Sequence, residues 1–314
     1  MATSRYLRRV QKIKTGSYII SLPMDWVLKN RLKPKDPLLV FEDPNNNIVV
    51  KIPMSRCNLT LDAGIYEDPE LLEEVVKYLY IFGVDQITVT GHNQGVLKRL
   101  RELRKDLIGY EIDDFTNGRV VISIKDDIHA LEERHLKRVW EKYLKLLGDI
   151  LDGICSYRND EELRDKIVES KRLVRHLQRL LSIALKEPER NKIPYPTFAA
   201  FFETTIRLRE VGYYIYRMVD FLAGVRQREE LDAMCRLCKE ALNTSDLKRL
   251  VEIRERINTL EEASLPKLNA YEAHMAFAMR RIVFNLVRIS ELMTVAAAAQ
   301  RTVCTPASRE EEEF

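Results

Sequence analysis

The chain has 314 residues, of which 46% are hydrophobic and 32% charged, and a formal net charge of +3. That length suits two or three domains. No run approaches the ~18 consecutive apolar residues of a membrane helix, which excludes membrane insertion by a helix, and a charged N-terminus without an apolar leader leads us to expect a cytoplasmic protein. The five cysteines (57, 155, 235, 238 and 304) are odd in number and no secretory signal accompanies them, so no disulfide framework is expected.

Charge is concentrated at the start. Residues 1–52 carry ten Lys and Arg against four Asp and Glu, a net +6, which leaves −3 on the other 262 residues. Such asymmetry speaks of partners and not of fold, and here it points to nucleic acid. Within this stretch Tyr18 to Leu22, Leu38 to Glu42 and Ile48 to Ile52 read as strands, with 43–47 as a turn. Ser21 is the expected N-cap of a short helix over 22–30, with Pro23 in its first turn. A module this small and this polar cannot bury much surface alone, so dimerisation is expected.

The next segment alternates strand and helix. Strands are predicted at 59–61, 86–90, 109–115 and 119–124, and helices at 69–82 and 94–106, with Asn117-Gly118 as a tight hairpin turn. This is a small βαβαββ unit. From Ile128 the period becomes helical: Leu136, Val139, Trp140, Tyr143, Leu144 and Leu147 draw one wide apolar stripe. Breaks at Asn159-Asp160, at Pro188, Pro194 and Pro196, at Gly224, at Thr244-Ser245-Asp246 and at Pro266 divide the rest into five further helices. Six helices in two groups of three suggest paired three-helix bundles, followed by a disordered acidic tail. Aromatic residues of the third helix, among them Phe198, Phe201, Tyr213 and Phe221, read as core or as a seam between the bundles.

Other chemistry finds little support. Cys235-Arg236-Leu237-Cys238 lies in a helical run and lacks a second ligand pair, so it reads as two buried helix cysteines. His129, His135, His176 and His274 are scattered; His92, in the loop after a strand, is a candidate sensing position. There is no phosphate-binding glycine loop and no nucleophile–base arrangement, so we expect no enzyme, no cofactor and no metal.

Three groups of residues carry a family resemblance. Arg9-Val10-Gln11-Lys12, Gly16-Ser17-Tyr18, Ser21-Leu22-Pro23, Trp26-Val27 and Leu32-Lys33-Pro34-Lys35-Asp36 resemble the archaeal variant of the AbrB/SpoVT swapped-hairpin DNA-binding domain. Tyr80-Ile81-Phe82-Gly83-Val84-Asp85-Gln86-Ile87 and Ile108-Gly109-Tyr110-Glu111-Ile112 resemble the middle domain that accompanies it. The helices beyond resemble the PhoU fold in their order. The whole chain is thus similar to archaeal AbrB–PhoU fusion proteins, a family of phosphate-uptake regulators. The resemblance implies a multidomain α+β protein: a swapped-hairpin module over 1–53, a small α/β domain over 54–127, PhoU-like paired three-helix bundles over 128–303 and a tail over 304–314.

The same resemblance implies that two chains interleave their hairpins and that basic residues approach the DNA backbone. The matching positions are Arg5, Arg8, Arg9, Lys12 and Lys14, with Arg31 and Lys33; for each singly, a solvated strand edge is the alternative. PhoU-like proteins can carry E-x-x-x-D metal motifs, but Arg209/Tyr213 and Arg280/Phe284 stand where acid pairs would be, so no metal cluster is expected. The expected function is a homodimeric or higher-oligomeric transcription regulator on double-stranded DNA, with a protein partner or effector at the helical domain and a possible phosphate link. The alternatives are an adaptor whose N-terminal module only dimerises, and an architectural protein without sequence preference.

Overall fold

The computed structural model describes residues 6–14, 16–53, 57–66, 68–91, 93–116, 118–125 and 130–299. Arg5, His92, Asn117, His129, Cys304 and the acidic tail lie outside the described residues. The chain divides into two compact units, Met1–Phe41 with Ile48–Ser55, and Glu42–Asn47 with Arg56–Phe314.

The first unit holds β1 (Gln11–Lys12), β2 (Tyr18–Ile19), α1 (Met24–Lys29), β3 (Leu39–Glu42) and β4 (Ile48–Lys51). β1 pairs antiparallel with β2 and β3 pairs with β4 as two separate ribbons. The expected helix over 22–30 is shorter, and Ser21 does not cap it. Pro23 is the N-cap, in extended conformation and without a side-chain cap bond. The reason is steric: a residue before proline is pushed out of the helical region, so Leu22 stays extended and the helix starts behind the ring.

The second unit opens with a four-stranded sheet in the order β5-β6-β8-β7, from β5 (Asn58–Asp62), β6 (Gln86–Thr90), β7 (Tyr110–Thr116) and β8 (Arg119–Ile124). β5 and β6 are parallel, which requires a crossover, and α2 (Pro69–Ile81) supplies it; α3 (Gln94–Glu102) joins β6 to β7. Caps match the helix starts: Asp68 accepts from Glu70 N at 2.8 Å and Asn93 from Val96 N at 2.9 Å. Gly109 has φ +76°, and a Cβ there would lie 2.1 Å from the Lys125 carbonyl, so no other residue fits. Leu72, Val76, Tyr80, Ile87, Val89 and Ile122 fill the core between sheet and helices.

Six long helices follow: α4 (Glu133–Cys155), α5 (Glu161–Lys186), α6 (Tyr195–Phe221), α7 (Glu229–Leu242), α8 (Leu247–Ser264) and α9 (Ala270–Ala299). Within α4–α6 and within α7–α9 every helix packs on the other two. The most extensive pairing joins the trios, α6 against α9, and one continuous apolar core runs through both. α4 also packs on α7, where Cys155 and Cys235 form a disulfide with Cα atoms 6.0 Å apart. The bond corrects the expectation of no disulfide; Cys235 and Cys238 are both buried helix cysteines, as read from the sequence, and of the two Cys238 keeps a free thiol. The separation of 80 residues between Cys155 and Cys235 puts this pairing out of reach of any local pattern.

Sheet and helices are tied at the C-terminal end of α2. Gly83 and Val84 follow α2, whose last carbonyls need partners. Arg179 of α5, only 1% exposed, donates from Nη1 to Tyr80 O at 2.9 Å and to Val84 O at 3.0 Å. Its guanidinium lies 5.1 Å from the Tyr80 ring centroid, and Lys186 donates to Gly83 O. Two cations at a helix C-terminus satisfy both its hydrogen bonds and its dipole.

Candidate nucleic-acid interface

The basic arm forms the first ribbon of the first unit. Lys12 is the cross-strand partner of Tyr18, so both side chains share a face, and Lys12 Nζ lies 5.9 Å from the Tyr18 ring centroid. The turn is closed by Ile13 N to Ser17 O at 2.9 Å and by Gly16 N to Ile13 O at 2.9 Å, with Gly16 at φ +91°. Ahead of the ribbon, Arg8 stacks 5.7 Å from the Tyr6 ring centroid, and Tyr6 Oη donates to Asp25 of α1 at 3.4 Å.

Beyond α1 the backbone turns sharply. Arg31 has φ 54° and Lys35 φ 79°, both left-handed, while Lys33 N donates to Asp36 Oδ2 at 2.8 Å. Arg8, Arg9, Lys12, Lys14, Arg31 and Lys33 are all exposed, and among the described residues none of the six forms an ion pair. Lys29 and Lys35 are exposed in the same stretch; the charge count included them, although neither was among the expected DNA contacts. Unpaired cations on aromatic-braced ribbons can neutralise phosphates and release their counterions.

The unit has a second property. None of its described residues is buried. Leu7, Val10, Ile20, Met24, Val40 and Ile48 are exposed at 58 to 78%. Burying one such side chain is worth about 1.5–3 kcal/mol, and a single copy of the module gains almost none of it.

Between β3 and β4, Asp43 anchors the 42–47 turn. Its Oδ1 accepts from Asn45 N at 2.9 Å and Asn47 N at 2.8 Å, and its Oδ2 from Tyr195 Oη of α6 at 2.8 Å. Burial pushes this carboxyl up, but the hydrogen bonds from Asn47, Tyr195 and Asn45 outweigh it and hold the pKa at about 2.

The positions examined for a metal motif hold other chemistry. Arg280 pairs with Glu261 at 2.7 Å, and Phe284 lies between Arg281 and Arg288, 5.1 and 5.5 Å from its centroid. Tyr213 stacks edge-on to Tyr214 at 5.5 Å. Two of the histidines are local fittings: His135 closes a capping box at the start of α4, and His274 bonds to Ala270 O at 2.6 Å, whereas His176 of α5 meets Tyr80 Oη at 3.4 Å.

Residues 11–56 match the family model described as antidote-toxin recognition MazE, bacterial antitoxin. No curated protein and no solved structure matches the chain. The match takes in Lys12, Lys14, Arg31 and Lys33 and begins two residues after Arg9, and it supports a MazE/AbrB-type domain there, a kind consistent with a DNA-binding regulator or an antitoxin.

Proposed function

We propose that this chain is a homodimeric DNA-binding transcription regulator whose N-terminal module, residues 1–53, both dimerises and contacts DNA. The observation that carries the reading is the coincidence of three properties in one stretch: the family match over 11–56, exposed cations without acid partners among the described residues, and apolar side chains left uncovered. In this reading Arg8, Arg9, Lys12 and Lys14, with Arg5, Arg31 and Lys33, lie along the phosphates, while the helical domain over 128–303 receives a partner or effector. The chain carries out no catalysis and needs no cofactor. A PhoU-like character of the helices, and with it a link to phosphate uptake, rests on the order of helices and on sequence resemblance.

A second reading, an adaptor that docks through its helices, is favoured by one feature. Trp140, Leu144, Leu286, Ile289 and Met293 line an apolar groove of about 610 Å³ among α4, α6, α7, α8 and α9. Reversing two charges separates the readings. Arg8→Glu with Arg9→Glu should weaken duplex binding at least tenfold, flatten its salt dependence and leave the dimer intact. Unchanged duplex binding would remove the arm from the interface, and a chain that never binds DNA would leave the adaptor.

A further inference from the structure

A cleft of about 230 Å³ opens where α2 of the sheet domain meets α5 and α6. Its walls carry four cations, Lys77, Lys171, Arg175 and Arg209, and one acid, Glu74. Lys77 is neutralised by Glu73 at 2.6 Å and Glu74 at 2.7 Å. Of the other three, only Arg175 has a described acid within ion-pair range. Among the described residues Lys171 and Arg209 form no ion pair, and Asp106 Oδ2 stands 4.0 Å from Arg175 Nη1, too far for a hydrogen bond.

Arg175 Nη1 is withdrawn from solvent without a hydrogen-bond partner, as is Gln178 Oε1 one turn further along α5. Lys171 and Arg175 are four residues apart on one helix face, a like-charge spacing that opposes folding. Partial desolvation, followed by the charges of Arg175 and Lys77, outweighs the charges of Asp106 and Asp220 and lowers the pKa of Lys171 below the ordinary lysine value. Aromatic surface completes the cleft. Lys171 Nζ sits 5.1 Å from the Tyr216 ring centroid, Tyr216 is fixed by Ser170 at 2.9 Å, and Tyr213 stands exposed at the mouth. The fold retains a cation-rich cleft with a buried donor that lacks a hydrogen-bond partner, an arrangement that an anion would complete.

We propose that this cleft binds a small, multiply charged oxyanion ligand, phosphoryl or polycarboxylate, through Lys171, Arg175 and Arg209, with the ligand's apolar part against Tyr213 and Tyr216. The site is independent of the basic arm and stands or falls apart from the DNA reading.

Isothermal titration calorimetry on the full chain at constant ionic strength tests it, with pyrophosphate, citrate and AMP as probes and adenosine as the neutral control. At least one anion should bind with one site per chain. Lys171→Gln with Arg209→Gln should weaken that binding at least tenfold, while Arg8→Gln with Arg9→Gln leaves it unchanged. Both cleft substitutions fall on exposed residues, the single Arg209→Gln serves as the milder variant, and unchanged melting would show that the fold is kept. Pyrophosphate or AMP would assign a phosphoryl ligand, and citrate a polycarboxylate. No binding by any anion, equal binding of adenosine, or full affinity in the cleft variant would overturn the proposal.

Discussion

Asp43 shows how one side chain can set a local pH limit. Its carboxyl holds the 42–47 turn and reaches Tyr195 of α6, and its folded pKa lies at about 2 against an ordinary 3.8. A depressed folded pKa gives stability that is complete above the unfolded value and lost as pH falls through the folded one. The turn should therefore hold at neutral pH and release between about pH 4 and pH 2. A carboxyl carbon titration followed by NMR should place the Asp43 midpoint near 2, and Asp43→Asn should abolish this acid-dependent step; a midpoint near 3.8 would show that the carboxylate is not so held. The sequence marks 43–47 only as a turn; the bonds from Asn45 and Asn47 are local to it, while the partner on α6 is 152 residues away and out of reach of a local pattern. The charges of the arm were legible, since lysine and arginine that face water need no tertiary context to be counted.

At the scale of elements, sequence patterns were most informative where the determinants are local. β6 and β8 occupy the predicted residues, and Asp160 and Asp246 cap α5 and α8 through Leu163 N and Lys248 N at 2.9 and 3.0 Å. β1 was missed because two residues in a polar basic run carry no alternation to detect. The cationic cleft was invisible for a different reason: Lys77, Lys171 and Arg209 come from three helices and meet only in the folded chain. The joint between α2 and α5 has the same origin. Arg179 donates to two carbonyls there and stands 3.7 Å from Asp85, which also receives Lys186 at 3.4 Å and Cys57 N at 2.8 Å. Arg179→Met should thus orphan Val84 O and take one of two donors from Tyr80 O, which keeps Gly83 N at 3.0 Å, without stranding the acid, and cost about 1–3 kcal/mol. Chemical denaturation should show a lower midpoint with an unchanged slope; an unaltered midpoint would mean that the joint contributes nothing.

For the whole molecule, the module without a core and the unpaired charge belong to one account. A unit of about fifty residues with no buried side chain among those described lacks the means to hold itself together, whereas two copies could cover each other's apolar residues. Light scattering should give twice the 36.8 kDa chain mass, and Ile20→Asp, which places a charge on one of the uncovered residues, should return the monomer. A wild-type monomer would leave those side chains unexplained. A symmetric dimer would present its cations twice, so that paired half-sites become the natural target. The direct measurement is fluorescence anisotropy of a labelled duplex from upstream of the chain's own gene, against a scrambled duplex, at two salt concentrations. A regulator should prefer the upstream duplex at least about tenfold (~1.4 kcal/mol), and keep that preference as the absolute affinity falls with salt. Equal, salt-sensitive binding to both duplexes, or no binding to either, would contradict it.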